Sequence, residues 1–379
     1  NVRVHLTDER SESIVAPVLG VFNVLQTADG NGYEVARILA ILNEIQATHA
    51  EIVSGGVAGY LQRAALIYVE DTPGAIGQYT AAINLQAGNP IPYVFRAAGY
   101  VRSGEYDKAL RDADTARRLG PPNWTTPLYV QGIYDSTTNN ISNSLTLFNQ
   151  ITTLRPEDWF PVNFQGALYY LMRDYEHART AVDAAIALGP NANMPYFLSI
   201  LIAIHEGRLA DAKNDANIII TEFPDPTFTQ RLMSAIYGDK VPNIFAPMFA
   251  AAGNLILGQY DQVITDADNA LSLNDQMADM YVIQGLAYCN LGDLPAAETA
   301  YTRGIESDSS FIALYALRAE VRMRQGDTGG ALEDMATVTQ SDLAPTFVPL
   351  LQAGVQGQWS CKKLFSYDYS QPGINLTHE

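Results

Sequence analysis

Acid–base or metal chemistry would first be sought among the five histidines, His5, His49, His177, His205 and His378. No two of them have the spacing of a metal pair, and no His-Glu-x-x-His is present. They read as surface or satisfied structural histidines. Cys289 and Cys361 form no Cys-x-x-Cys and permit a single bridge. No Gly-x-Ser-x-Gly elbow occurs, and the glycines of Gly30-Asn31-Gly32 and Gly55-Gly56 lack the strand-to-helix setting of a nucleotide site. Asp-Ala-Asp at 112–114 and again at 266–268 sets two carboxylates two residues apart, which reads as a solvated helix face. Glu306 to Ser310 lacks the glycine and terminal glutamate of a calcium loop and reads as a turn and cap before Phe311. The residues therefore assign no catalytic group, no cofactor and no metal, and function must come from surfaces.

Composition narrows what such surfaces meet. The 379 residues carry 23 Lys plus Arg against 41 Asp plus Glu, a net charge of −18. Such a field repels phosphates, and the densest basic group, Arg111 with Arg117 and Arg118, is broken by Asp112 and Asp114, so nucleic acid is not an expected partner. No run approaches the roughly 18 uninterrupted apolar residues of a membrane span. A first residue other than Met suggests a processed, exported chain, and sequons at Asn123, Asn140 and Asn375 are candidate glycosylation sites. In an oxidising compartment Cys289 and Cys361 are the candidate disulfide. The expected location is extracellular or the cell surface, with the periplasm as an alternative.

The elements that must position any surface repeat. Pro121, Pro156, Pro190 and Pro224 are spaced 35, 34 and 34 residues apart, and Gly258, Gly292 and Gly326 are 34 apart. Between the two series Gly207 and Gly258 are separated by 51, which places an insert of half a repeat at 225–243. In the clearest unit, Trp159 to Pro190, Gly166, Tyr169, Ala178 and Ala185 stand at the eighth, eleventh, twentieth and twenty-seventh places. Ala97, Tyr100, Gly104, Tyr106, Ala109, Ala113 and Ala116 repeat the pattern before Pro121. Gly132, Ser144, Phe148 and Ile151 carry it before Pro156, and Gly207, Ala212 and Ala216 before Pro224. Over about two thirds of its length the chain resembles the tetratricopeptide repeat (TPR) family. Departures are Arg173 and Thr138-Asn139-Asn140, which stand where a glycine turn is expected.

The resemblance implies an all-α solenoid, a right-handed superhelix of helix–turn–helix repeats, with extended, strand-like segments at its ends. The layout is an extended segment over 1–30, a capping helix over 31–55 and repeats over 56–224, the first of them degenerate. The insert at 225–243 follows, then repeats over 244–340, and a capping helix and tail over 341–379. In the family the inner wall is lined by the first helix of each repeat. Carried over place by place, that wall is Val94, Tyr129, Tyr170, Phe197, Leu201, Phe245, Met248 and Leu286, an apolar groove without the basic set that clamps a peptide carboxylate.

The ends carry a different pattern. Val2, Val4 and Leu6 alternate with Arg3 and His5, and the stretch around Ile14, Val15, Val18, Leu19 and Phe22 is apolar on both alternating faces. Near the other end Phe365 and Tyr367 alternate with polar residues. Strand patterns with no sheet to join leave backbone groups unpaired unless a partner takes them up. The reading is a non-enzymatic protein-interaction and structural protein whose copies join head to tail into a filament through these segments. The alternative is a monomeric secreted or periplasmic scaffold whose groove receives an apolar peptide of another protein.

Overall fold

The computed structural model describes residues 56–68, 70–120, 125–190, 192–223 and 244–369. The extended segment with Val2, Val4, Leu6, Ile14, Val15, Val18, Leu19 and Phe22, the capping helix expected over 31–55, the insert, and Asn123 and Asn375 lie outside these residues.

Every regular element among the described residues is helical. A first unit contains α1 (Val57–Ile67), α2 (Thr72–Leu85), α3 (Pro90–Arg102), α4 (Tyr106–Leu119), α5 (Thr126–Thr137), α6 (Ile141–Leu154), α7 (Trp159–Leu171) and α8 (Tyr175–Leu188). A second contains α9 (Asn193–His205), α10 (Leu209–Glu222), α11 (Phe245–Ile256), α12 (Tyr260–Leu273), α13 (Ala278–Leu291), α14 (Leu294–Ser307), α15 (Ile312–Gln325), α16 (Thr328–Thr339) and α17 (Ala344–Val355). Up to α16 the helices go in pairs, one pair to a repeat. α17 closes the second unit, followed by a 3-10 turn at Cys361–Lys363.

The local causes recur with the repeat. Short acidic or amide side chains stop the incoming chain and satisfy a free helix N–H: Asp71 accepts from Gly74, Asn89 from Ile91, Asp158 from Phe160, Asp293 from Ala296 and Asp327 from Gly330. From the pair α3 and α4 onward, one residue between the two helices takes the left-handed conformation: Gly104, Asn139, Arg173, Gly207, Gly258, Gly292 and Gly326 all have φ between 60° and 91°. The two departures seen in the sequence thus adopt the glycine backbone without glycine. Asn139 does so at modest cost, because Asn tolerates this region better than most side chains.

Where the helices of a pair cross, a side chain is missing on one of them. A Cβ at Gly132 would stand 2.8 Å from the ring of Phe148, one at Gly166 would stand 2.9 Å from Val182, and one at Gly285 would enter the ring of Tyr301. Successive repeats are joined by aromatic contact from a second helix to the next first helix, as in Tyr79 on Phe95 at 5.6 Å and Phe148 on Phe164 at 4.3 Å between ring centres. Alanines 109, 113, 116, 178, 185, 267 and 270 let the second helices lie close and are buried.

The second unit adds a contact beyond those between alternate helices, which the first unit also has in α3 on α5. α9 meets α11 and also α15, and α15 meets α17. The turn at Gly207 lies against Leu343 and Phe347, since a Cβ there would stand 3.2 Å from both side chains. Lys213 Nζ donates to the carbonyl of Tyr367 at 2.7 Å. The strand-like alternation read around Phe365 and Tyr367 is corrected: Ser366 and Tyr367 both donate backbone N–H groups to the Lys363 carbonyl in a turn. Tyr369 bonds Leu364, and Tyr367 and Tyr369 meet edge to face at 5.3 Å. Alternation over so few residues, with a bridged cysteine just before them, does not suffice to make a strand.

Two glycine substitutions separate conformation from packing. Gly292 has φ +91° and open space around its missing Cβ, so Gly292→Ala is expected to destabilise by about 1–2 kcal/mol through backbone strain alone. Gly77, inside α2 with equally open space, is expected to gain roughly 0.5–1 kcal/mol on change to Ala. Chemical denaturation of each variant against the parent reads both signs.

Candidate functional site

The eight residues of the expected inner groove do not form an open surface. Val94, Tyr129, Tyr170, Phe197, Leu201, Phe245, Met248 and Leu286 are all buried, none more than 3% exposed. In the first unit Tyr129 is held in the seam between repeats: its hydroxyl donates to Asp158 at 2.8 Å and its ring meets Phe148 and Phe160. Tyr170 meets Tyr175 edge to face. In the second unit the first helices that carry Phe197, Leu201, Phe245, Met248 and Leu286 converge on one another, α9 on α11 and α15 and α11 on α13. Large apolar side chains at the lining places fill the interior that smaller or polar ones would leave open. Phe197→Ser and Phe245→Ser are each expected to cost about 3–5 kcal/mol, as removal of core aromatics does. Thermal melts should show that loss, with no separate effect on association among molecules that stay folded.

The carboxylate pairs also differ from their sequence reading. One carboxylate of each Asp-Ala-Asp is buried and only the other is solvated, because residues two apart point to different sides of a helix. Arg96 grips Asp112 with two hydrogen bonds, Nε to Oδ2 at 2.6 Å and Nη2 to Oδ1 at 2.9 Å, and gives a third to Thr80 at 3.1 Å. Arg318 repeats the arrangement in the second unit, with Asp334 at 3.0 and 2.6 Å and Thr302 at 3.1 Å. In both cases Thr, Arg and Asp are spaced 16 and 16 along the chain. The guanidinium on a first helix thus reaches the second helix of the preceding repeat and that of its own. Gln165 reaches Asn149, and Gln284 reaches Asp268, from the same place in their repeats. Asp266 accepts from Asn254 and Gln262, and burial raises its carboxyl above the usual carboxylate range. A residue pairing 16 back and 16 forward is the signal that the sequence carries for this arrangement.

Two of the histidines lie among the described residues. His177 sits on the surface against Asp174, 2.9 Å away, which raises its pKa by hydrogen bonding. His205 lies largely buried, 3.6 Å from Asp279 and against the ring of Phe311. Asn140, the one sequon asparagine described, is exposed in the turn before α6, with its amide nitrogen 3.4 Å from Asp135. Phe365 and Tyr367 are half-buried against their own unit.

Cys289 on α13 and Cys361 in the 3-10 turn are joined as a disulfide across 72 residues, with Cα atoms 6.2 Å apart. On the chain-entropy account a loop of that length contributes on the order of 4 kcal/mol. Beside it lies Glu320 of α15, buried, with the backbone N–H of Cys361 and Arg324 facing its carboxylate and Arg324 Nη1 3.5 Å from Oε1. Burial raises the Glu320 carboxyl above its ordinary value of 4.5, more than Arg324 lowers it. The folded state therefore holds the proton more tightly than the unfolded chain. That contribution is complete below about pH 4.5 and is lost as pH rises through the folded-state value. Glu320→Gln in the oxidised chain is accordingly expected to raise the melting temperature at pH 7, with the gain shrinking toward pH 4.5. Melting curves across that range check it.

No known family profile matches the chain, and no curated protein does. Solved structures are similar in fold. A tetratricopeptide repeat protein from Parabacteroides merdae is 15% identical, with 70% of this chain and 98% of that one covered at a TM-score of 0.39. YrrB, a TPR protein with an unusual peptide-binding site, is 14% identical over 62% and 95% at 0.32. Yeast Tom70 is 13% identical over 93% and 83% at 0.40. The chain is an all-α solenoid of tetratricopeptide type, as its 34-residue period, paired helices and left-handed intrarepeat turns require. No helix among the described residues is long and apolar enough to cross a membrane.

Proposed function

We propose that this chain is a non-enzymatic structural protein, exported from the cell, whose copies associate head to tail into a filament, with an extended terminal segment of one subunit docking on the next. The observation that carries this reading is the burial of the inner-wall residues. With Phe197, Leu201, Phe245, Met248 and Leu286 in a packed interior, the rival reading loses the groove that a foreign apolar peptide would enter. The sequence still contains an apolar segment around Ile14 to Phe22 that needs pairing. A row of leucines on the first unit supports the same reading. Leu85, Leu119, Leu154 and Leu188, 58%, 42%, 40% and 42% exposed, end the second helix of four successive repeats. One exposed leucine per repeat offers an apolar edge of the kind another subunit's segment would cover.

Contact between unlike ends is heterologous, and unless rotation closes a ring it propagates. A net charge of −18 opposes it, so association should strengthen with moderate salt. The test is light scattering against concentration for the full chain and for a chain lacking residues 1–27. The full chain should grow in mass, whereas the truncated chain should remain a helical monomer. A truncated chain that polymerises as before, or a full chain that stays monomeric at high concentration in moderate salt, overturns the reading. Glycans at Asn123, Asn140 and Asn375 belong to the same proposal, and intact mass of the native protein reads them directly.

A further inference from the structure

At the end of the second unit three ligand-type atoms converge from three separate places in the chain. The Sγ atoms of Cys289 on α13 and Cys361 in the tail, and a carboxylate oxygen of Glu320 on α15, lie within 4.8 Å of one another, and all three residues are buried. Glu320 is 2% exposed, and its carboxylate is approached by the backbone N–H of Cys361 and by Arg324, neither of them at full hydrogen-bond geometry. A buried carboxylate in that state is costly, and the protein answers it only loosely. Arg324 Nη1 stands 3.4 Å from Cys289 Sγ, 3.5 Å from Cys361 Sγ and 3.5 Å from Glu320 Oε1. The guanidinium is thus hydrogen-bonded to both sulfurs and within ion-pair distance of the carboxylate. The arginine side chain is 34% exposed, so it has solvent to withdraw into.

Reduction changes the charge the cluster must balance. A dithiol or phosphine reductant supplies two electrons, two protons are taken up, the S–S bond breaks and two thiols form. When a thiophilic cation binds, both protons leave to solvent, and the first coordination shell becomes two thiolates and one carboxylate. A single guanidinium does not neutralise three negative charges, but a divalent metal together with it does. Two sulfurs exclude Ca2+ and Mg2+, which take oxygen ligands. Zn2+ accepts two thiolates and a carboxylate with water in the fourth tetrahedral place, and Zn–S bonds of about 2.3 Å set the sulfurs roughly 3.7 Å apart. Cα atoms 6.2 Å apart accommodate that spacing by rotation of the two Cβ–Sγ arms.

We infer that in the reduced chain Cys289, Cys361 and Glu320 form a binding site for a thiophilic divalent cation of the Zn2+ class, with the metal replacing the disulfide as the tie between the tail and α13. The site would keep the C-terminal end fastened in reducing as well as oxidising surroundings. It is independent of self-association, since every ligand comes from one chain.

The test uses the full chain, reduced with a phosphine and titrated with Co2+ as a spectroscopic stand-in, then with Zn2+. Expected are uptake of one metal per chain, a thiolate-to-cobalt charge-transfer band with the intense visible bands of tetrahedral Co2+, and bleaching of both by Zn2+. The oxidised chain should take up none. Cys289→Ser and Cys361→Ser should each weaken the charge-transfer band and the affinity, and Glu320→Gln should weaken affinity by roughly tenfold or more with the helical signal retained. Four results overturn the inference: a reduced, still helical chain without the band, or a band unchanged in both serine variants. The others are an affinity indifferent to Glu320→Gln, and a chain that loses helix on reduction and does not regain it with Zn2+.

Discussion

Neither helix of a repeat in this chain has enough apolar surface of its own to be stable, so each must be completed by neighbours. A helix of 12 to 14 residues, the usual length here, is marginal in isolation, and tertiary burial supplies most of what holds it. That requirement explains the small residues, because Gly132, Gly166 and Gly285 stand where a partner's ring or branched side chain needs the space. It also explains why the left-handed turn persists at Asn139 and Arg173 without glycine. Changing that turn would move the second helix off the face it completes, a larger loss than the backbone strain of one residue.

Two arginines of this stack each join three helices at once. The guanidinium of Arg96 meets Asp112 in one direction and Thr80 in the other, and Arg318 does the same with Asp334 and Thr302. Bidentate pairing suits an arginine in a partly buried seam, where a planar fork matches a carboxylate and its aliphatic stem lies against the helix. Asp334 also accepts from Arg322 Nη1 at 3.0 Å, so its charge is answered twice. Apolar contact would hold two helices at many rotations. A fork that must reach a particular carboxylate and a particular hydroxyl selects one.

The period, the helix pairs and the insert between Gly207 and Gly258 were legible because small residues and turns are set by local geometry, and local geometry repeats. Burial was not legible at the inner wall. Phe197 or Phe245 at a lining place looks the same in sequence whether the wall faces solvent or another helix, and only the convergence of α9, α11, α13 and α15 decides it. Asp112 and Asp266 differ from a solvated face for a related reason: residues two apart on a helix do not share a face, so each turns inward while Asp114 or Asp268 meets solvent. Phe365 and Tyr367 show the limit at a chain end, where a few alternating residues give way to a turn fixed by a disulfide and by Lys213.

The ties between the two ends of the second unit change how it can come apart. In an ideal repeat stack each unit touches only its neighbours, so terminal repeats open first and opening spreads inward. Here α9 and α10, which begin the unit, are fastened to its end through α15, Leu343, Phe347 and the carbonyl of Tyr367, while Cys361 fastens the tail to α13. Peeling from either side would have to break contacts with the opposite side at the same time. The second unit should therefore behave as a single cooperative block, with slow amide exchange reaching its outermost helices, whereas an open stack would give a gradient of protection that fades toward its ends.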